Sequence, residues 1–453
     1  MIDGTEERGD HMAITKLLAF LMALITLVTG GVSSVVGSTD KTPITATKRE
    51  YRFDRDRLLF GAYCLKVDED FEQTREWFKE AKLQFPVAVS GRELTEEALD
   101  WFVENGMGLI APRSDYYMNM KHDAIWGIDL YDEPSAAAFP ALQERVQELY
   151  RQDPHRFPLV NLLPMYASPE QLGEETELPD FIGDSPLDPF SDRAAYYRMH
   201  VSDYIGTIDS DIISVDIYPF VVGADGTLGT YMHWMRNLDI LAEACRRTGR
   251  DLWVITQASG MVEVDEGKEG YRFCDTVEDQ RWQNYVSIAF GAKAIIYGCY
   301  YGGWWSADSH MLDNDGQRTD TYYAVKQVNE EMSVFAGEYG KYENHGAIML
   351  NRVNPKASGV SLGTTKVDPR YRPAVLTADP VLCGCFSEKE GDGKAFVFTN
   401  MFDPNTGRTA SLTASFPGAK RVTLYRKGEK TVLDGCTLCL TLENREGVFV
   451  TVE

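Results

Sequence analysis

Two stretches of this 453-residue chain place carboxylates where acid–base chemistry can use them. The first reads Asp129-Leu-Tyr131-Asp132-Glu133-Pro134. As the end of a strand, it puts Asp129, Tyr131 and Glu133 on one face and Asp132 on the other. A glutamate in that position can act as a general acid, with Asp132 as a substrate ligand or as the group that orients Glu133. The alternative is that Glu133 serves a helix starting at Ser135, where an acid before the first turn is favourable. The second stretch reads Ser214-Val-Asp216-Ile-Tyr218-Pro219. Ser214, Asp216 and Tyr218 share a face, and a carboxylate turned inward must be paired or functional. Asp216 is therefore the candidate second carboxylate and Tyr218 a candidate ligand; the alternative is a structural hydrogen bond to a neighbouring strand.

Other polar and aromatic residues end similar runs. Gln257 closes Trp253-Val-Ile-Thr-Gln257 and can hydrogen-bond a sugar, but an amide is neither an anionic nucleophile nor a general base. Tyr300, Trp304 and Trp305, beside two glycines, offer aromatic faces suited to the apolar faces of pyranose rings. Asn161, Tyr63, Tyr166 and His233 join them as candidate lining residues. Asp313-Asn-Asp-Gly316 resembles a calcium loop only in its opening, because Ala324 stands where a bidentate glutamate is needed, so a turn is expected. Cys383-Gly-Cys385 and Cys436-Thr-Leu-Cys439 are read as free thiols in strands rather than as a zinc site. No metal or cofactor is expected.

The elements that must carry these residues alternate along the chain. Short apolar runs occur at 58–65, 85–91, 106–113, 125–131, 157–164, 211–219, 251–257 and 292–301. Amphipathic stretches lie between most of them, as in Phe71–Leu83, where Phe71, Trp77, Phe78 and Ala81 fall near one helical face. The segment 114–124 is too short and polar for a full helix. Eight βα units predict a (β/α)8 TIM barrel over 50–340, with its site at the carboxyl ends of the strands. Beyond 341 the helical period vanishes, and short alternating strands such as 394–399 and 447–452 predict a small C-terminal antiparallel β-sandwich over 341–453.

Composition narrows the partners. The 45 Lys+Arg against 69 Asp+Glu give a formal charge of −24, which argues against nucleic acid and against an electrostatic grip on anionic lipid. Hydrophobic residues at 44% and charged residues at 25% exclude a disordered chain or a polytopic membrane protein. From Met12 the sequence has the layout of a secretory signal peptide: Lys16, an apolar run from Leu17 to Val28, then small residues. Residues 1–40 are thus expected to be a leader, with an uncleaved membrane anchor as the alternative. A secreted protein handling a neutral carbohydrate fits this pattern.

A Glu-Pro ending the fourth strand, Asp-x-Tyr-Pro on the sixth and an aromatic eighth strand resemble clan A glycoside hydrolases, nearest to family 42 and family 5-type barrels. The resemblance implies hydrolysis of O-glycosyl bonds with Glu133 as acid/base. Those families carry a nucleophilic glutamate at the end of the seventh strand, where this chain has Gln257. The second carboxylate must then come from Asp216, from Glu263 or Asp265 in the following loop, or from a nucleophile on the substrate. A non-catalytic glycan-binding barrel is the alternative function.

Overall fold

The computed structural model describes residues 42–174, 189–223, 227–231, 233–260, 270–303, 309–350 and 367–453, with side chains of the helix at 189 described from Arg193 onward. The leader, Glu263, Asp265, Trp304 and Trp305 lie outside the described residues. In chain order the strands begin with β1 (Leu59–Val67), β2 (Phe85–Gly91), β3 (Leu109–Pro112), β4 (Ile125–Asp132), β5 (Phe157–Leu162) and β6 (Ile212–Asp216). There follow β7 (Phe220–Val222), β8 (Leu228–Thr230), β9 (Asp251–Gln257), β10 (Gly270–Tyr271) and β11 (Ala292–Gly298). Eight of them close a parallel barrel in the order β1-β11-β9-β6-β5-β4-β3-β2, one from each expected run. The remaining three, β7, β8 and β10, form a small antiparallel sheet beside its carboxyl end.

The barrel interior closes because aromatic side chains lie against glycines on the adjacent strand. A Cβ on Gly127 would meet the Phe157 ring at 2.6 Å, and one on Gly61 would meet the Phe85 ring at 2.5 Å. Phe85, Trp126, Phe157 and Trp253 thereby fill the floor. Phe53, arriving from the N-terminal segment, plugs the amino-terminal end with its ring 5.5 Å from those of Trp126, Phe157 and Trp253. Beside this plug, buried Asp211 accepts from the backbone N–H groups of Thr47 and Arg49 and pairs with the guanidinium groups of Arg49 at 3.3 Å and Arg55 at 3.1 Å.

The helices are α1 (Phe71–Glu80), α2 (Glu96–Glu104), α3 (Asp115–Asn119), α4 (Phe139–Gln152), α5 (Pro169–Leu172), α6 (Pro189–Thr207), α7 (Trp234–Thr248), α8 (Val277–Ala289), α9 (Asp320–Ser333) and α10 (Ala336–Gly340). Their starts follow local chemistry: Thr95 Oγ1 accepts from Ala98 N at 3.2 Å, satisfying one of the open donors of the first turn. Between the third and fourth strands only the short α3 forms, capped by Ser114, in keeping with the short polar segment. Helix α8 is buried on every side, between barrel and sandwich, and its buried charged residues are paired. Asp279 meets Arg272 and Arg445, each at 2.8 Å, and Arg281 meets Glu331 at 2.9 Å.

The sandwich comprises β12 (Tyr342–Leu350), β13 (Ala374–Ala378), β14 (Val381–Glu388), β15 (Lys394–Asn400), β16 (Ala410–Ser415), β17 (Arg421–Arg426), β18 (Glu429–Asp434), β19 (Thr437–Leu442) and β20 (Gly447–Val452). A six-stranded sheet, β12-β14-β15-β20-β17-β18, packs on a three-stranded one, β13-β16-β19. Period-two alternation sorts β14 between two cores: Cys383 and Cys385 face the sandwich interior, whereas Leu382 and Phe386 face the barrel. Gly384 sits between them because a Cβ there would meet the Ala289 carbonyl oxygen at 2.4 Å. The segment at 313–316 is a turn, with Gly316 N donating to Asp313 O and Gln317 N to Asp313 Oδ1.

Candidate active site

The acidic end of β4 does not follow simple alternation. Its register with β5 runs Asp129↔Leu159, then Tyr131↔Val160 and Asp132↔Asn161, so one extra residue is accommodated as a bulge. The expected sharing of one face by Asp129, Tyr131 and Glu133 is corrected by that bulge. Asp129 and Asp132 both approach Tyr63 in the barrel mouth, while Tyr131 is 41% exposed. Glu133 then takes a left-handed backbone conformation, φ +52°, uncommon for a non-glycine residue. Its N–H donates to the Asn161 carbonyl oxygen at 2.8 Å, which holds the turn.

These residues open onto a cavity of about 380 Å³ at the carboxyl ends of the strands, lined by Tyr63, Asp132, Glu133, Asn161, Tyr166, Asp216, Tyr218, Ile255 and Tyr271. Asn161 organises it. Its Nδ2 donates to Asp132 Oδ1 at 3.0 Å and to Asp216 Oδ1 at 2.8 Å, while its own oxygen accepts from Ser214 Oγ at 3.2 Å. Two carboxylate oxygens sharing one amide nitrogen lie within about 6 Å of each other. Among the described residues no lysine or arginine lines the cavity.

With no lysine or arginine among the described lining residues, the proton affinities of the acids rise. Burial, reinforced by the Asp216 and Asp132 carboxylates, pushes Glu133 up to about 8, although the residue is reached by solvent at the mouth. Burial and Asp132 push Asp216 up to about 7, opposed by hydrogen bonds from Asn161, from its own backbone N–H and from Tyr218. Asp129 is likewise raised to about 7, and its buried Oδ1 has no hydrogen-bond partner among the described residues. Burial also raises Asp132, against the hydrogen bond from Asn161. Of these interacting groups, Asp216 has the most donors and gives up its proton before Glu133, whose charged form no donor among the described residues favours.

Glu133, Asp216, Asp132, Asn161, Tyr218, Tyr63 and Tyr166 are thus brought together. Gln257 is not, which corrects its expected role as a sugar ligand. It is fully buried, its Nε2 donating to the carbonyls of Phe220 and Arg272 and its Oε1 accepting from Phe220 N. Tyr300 is corrected in the same way: it is fully buried beneath the barrel wall, its hydroxyl donating to Thr74 O and its ring 5.0 Å from Phe78. His233 packs beside Tyr231 without lining the cavity. The residue that sequence reasoning missed is Tyr271. It rides on the two-residue β10, which pairs with β7, and Gln257 ties both strands down through Phe220 and Arg272.

The molecule is therefore a (β/α)8 barrel with an acidic, tyrosine-lined mouth and a β-sandwich packed on α8. No family model matches the chain, and no curated protein matches it. Solved structures match over most of their length. One described as a glycoside hydrolase superposes with a TM-score of 0.38 at 10% identity, covering 93% of this chain and 98% of its own. A family 5 glycoside hydrolase from Bacteroides vulgatus ATCC 8482 gives a TM-score of 0.40 at 9% identity over 91% and 94% of the two chains. An α-L-arabinofuranosidase from Thermotoga maritima gives 0.43 at 9% identity over 91% and 100%. Superpositions this loose transfer neither a residue role nor an activity, so the chemistry rests on the cavity itself.

Proposed function

We propose that the protein is an exported glycoside hydrolase acting on a neutral carbohydrate, with Glu133 as general acid/base and Asp216 as its carboxylate partner. The observation that carries this reading is the division of labour between the two acids. Asp216 receives hydrogen bonds that favour its anion, while Glu133, near it and lacking any among the described residues, retains a proton at neutral pH. Glycosidic bond cleavage needs that pair, one acid to protonate the leaving oxygen and one carboxylate to act as base or nucleophile. Asp132, Asn161, Tyr218, Tyr166 and Tyr271 surround the bound sugar, and the cluster of carboxylates disfavours an acidic one. Export rests on the Met12–Ser38 leader pattern.

The test is Glu133→Gln, which keeps the shape and removes the proton. Turnover of glycosides with poor leaving groups falls by about 10²–10⁴ while glycan binding persists. Unchanged turnover excludes Glu133 as the acid. A second reading, a glycan-binding barrel without turnover, is favoured by one observation: the tip of β9 carries an amide consumed by backbone hydrogen bonds. Saturable binding with no product from any member of a glycan panel supports that reading; a single product refutes it.

A further inference from the structure

A second cavity, of about 460 Å³, lies at the opposite end of the barrel, bounded by the C-terminal turn of α7 and by the first residues of β9, β11 and β12. That volume falls within the roughly 300–1,000 Å³ of small-molecule sites. In a chain of net charge −24, cations converge here. Most have obvious structural duties: Arg49 and Arg55 pair with Asp209, Asp211 and Asp251, and Lys389 pairs with Asp56.

Arg246, Arg250 and Lys293 differ. Among the described residues none of them has a carboxylate within ion-pair distance, and each donates to neutral oxygen instead. Arg246 Nη1 reaches Asn344 Oδ1 at 3.0 Å, Lys293 Nζ reaches the Tyr342 carbonyl at 3.1 Å, and Arg250 Nη2 reaches the Ile208 carbonyl at 2.7 Å. Arg250 is only 5% exposed, yet its Nε and Nη1 have no hydrogen-bond partner among the described residues. Glu343, at the rim, is exposed. Asp56 and Asp251 also line the cavity and attract Lys293 at longer range, but their ion pairs are with Lys389 and Arg55, and burial still pushes Lys293 down to about 8. Two guanidinium groups and an ammonium around one space suit a tetrahedral oxyanion, which accepts several charge-assisted hydrogen bonds at once.

We propose that this basal cavity binds a small phosphoryl- or sulfate-bearing molecule, with Arg246, Arg250 and Lys293 arranged around its oxyanion. The walls come from both the barrel and the sandwich, through β9 and β11 on one side and β12 on the other, so the ligand ties the two together. The site is separate from the carboxylate cavity, and its occupancy does not depend on glycoside hydrolysis.

The test titrates the full chain with inorganic phosphate and, separately, with sulfate, glucose 6-phosphate and glucose 6-sulfate, against sodium chloride of matched ionic strength. Calorimetry and thermal unfolding report binding. The expected result is one saturable site per chain and a rise in Tm beyond the chloride control, with the esters at least tenfold tighter than the free anions. Whichever ester binds more tightly identifies the natural source of the oxyanion. Binding weakens at least tenfold in Arg246→Gln/Lys293→Met and also in Lys293→Met alone, which exchanges a half-buried ammonium for an apolar side chain and preserves the fold. Equal Tm shifts in phosphate and chloride, absence of a saturable site in every arm, or undiminished binding in Lys293→Met overturns the proposal.

Discussion

Two aspartates bracket β6 and have opposite surroundings. Asp211, at its amino end, is fully buried and enclosed by two guanidinium groups and two backbone N–H groups. Asp216, at its carboxyl end, faces other acids, and its donors are the Asn161 amide, the Tyr218 hydroxyl and its own backbone N–H. Within one strand the barrel neutralises a carboxylate where it builds structure and leaves one uncompensated where a cavity opens. Perturbed acids in a cleft are candidates for chemistry, whereas satisfied ion pairs are scaffold.

Exchanging the two residues' fates is the sharpest way to break this comparison. Asp216→Asn lowers turnover by about 10²–10⁴ and leaves Tm unchanged or raised, since it removes an uncompensated charge. Asp211→Asn does the reverse: it strands Arg49 and Arg55 and costs roughly 3 kcal/mol or more in denaturant unfolding, with turnover intact at permissive temperature. If both variants lose stability equally, the two carboxylates do not differ in kind.

A smaller effect concerns Asp129. Its native pKa, about 7, exceeds the value of about 3.9 in an unfolded chain. The native state therefore holds a proton that the unfolded state releases, and stability falls as pH rises through that interval. Asp129→Asn removes this dependence and gains about 1–3 kcal/mol at pH 8 while changing little at pH 4, as equilibrium unfolding at the two pH values will report. Smallest is the effect of Asn161→Ala. Loss of the bridging amide raises the Asp216 pKa, so the acidic limb of the pH–rate profile moves to higher pH with a modest loss of rate.

Period and count made the barrel legible: eight apolar runs, separated by helical stretches, had one parallel closed solution. The mouth was legible only where polar residues end strands in phase. Glu133, Asp132, Asp216, Asn161 and Tyr218 were found that way. The β4 bulge escaped notice because one extra residue leaves composition and spacing almost untouched, yet it redirects every side chain beyond it. Tyr271 escaped because two residues carry no period, and their strand exists only by pairing with β7. Gln257 and Tyr300 misled for the opposite reason: a polar tip on a strand reads the same whether it meets solvent or the backbone of a neighbouring loop.

The backbone of Glu133 bears on how this protein can be engineered. A left-handed residue without glycine's freedom costs about 1 kcal/mol or more. A thermostability screen blind to activity would therefore reward Glu133→Gly, and each round of selection for heat resistance would drift toward a sturdier barrel with its acid deleted. Directed evolution of this scaffold has to select on turnover at every cycle, because at this position the most comfortable residue and the working one are different.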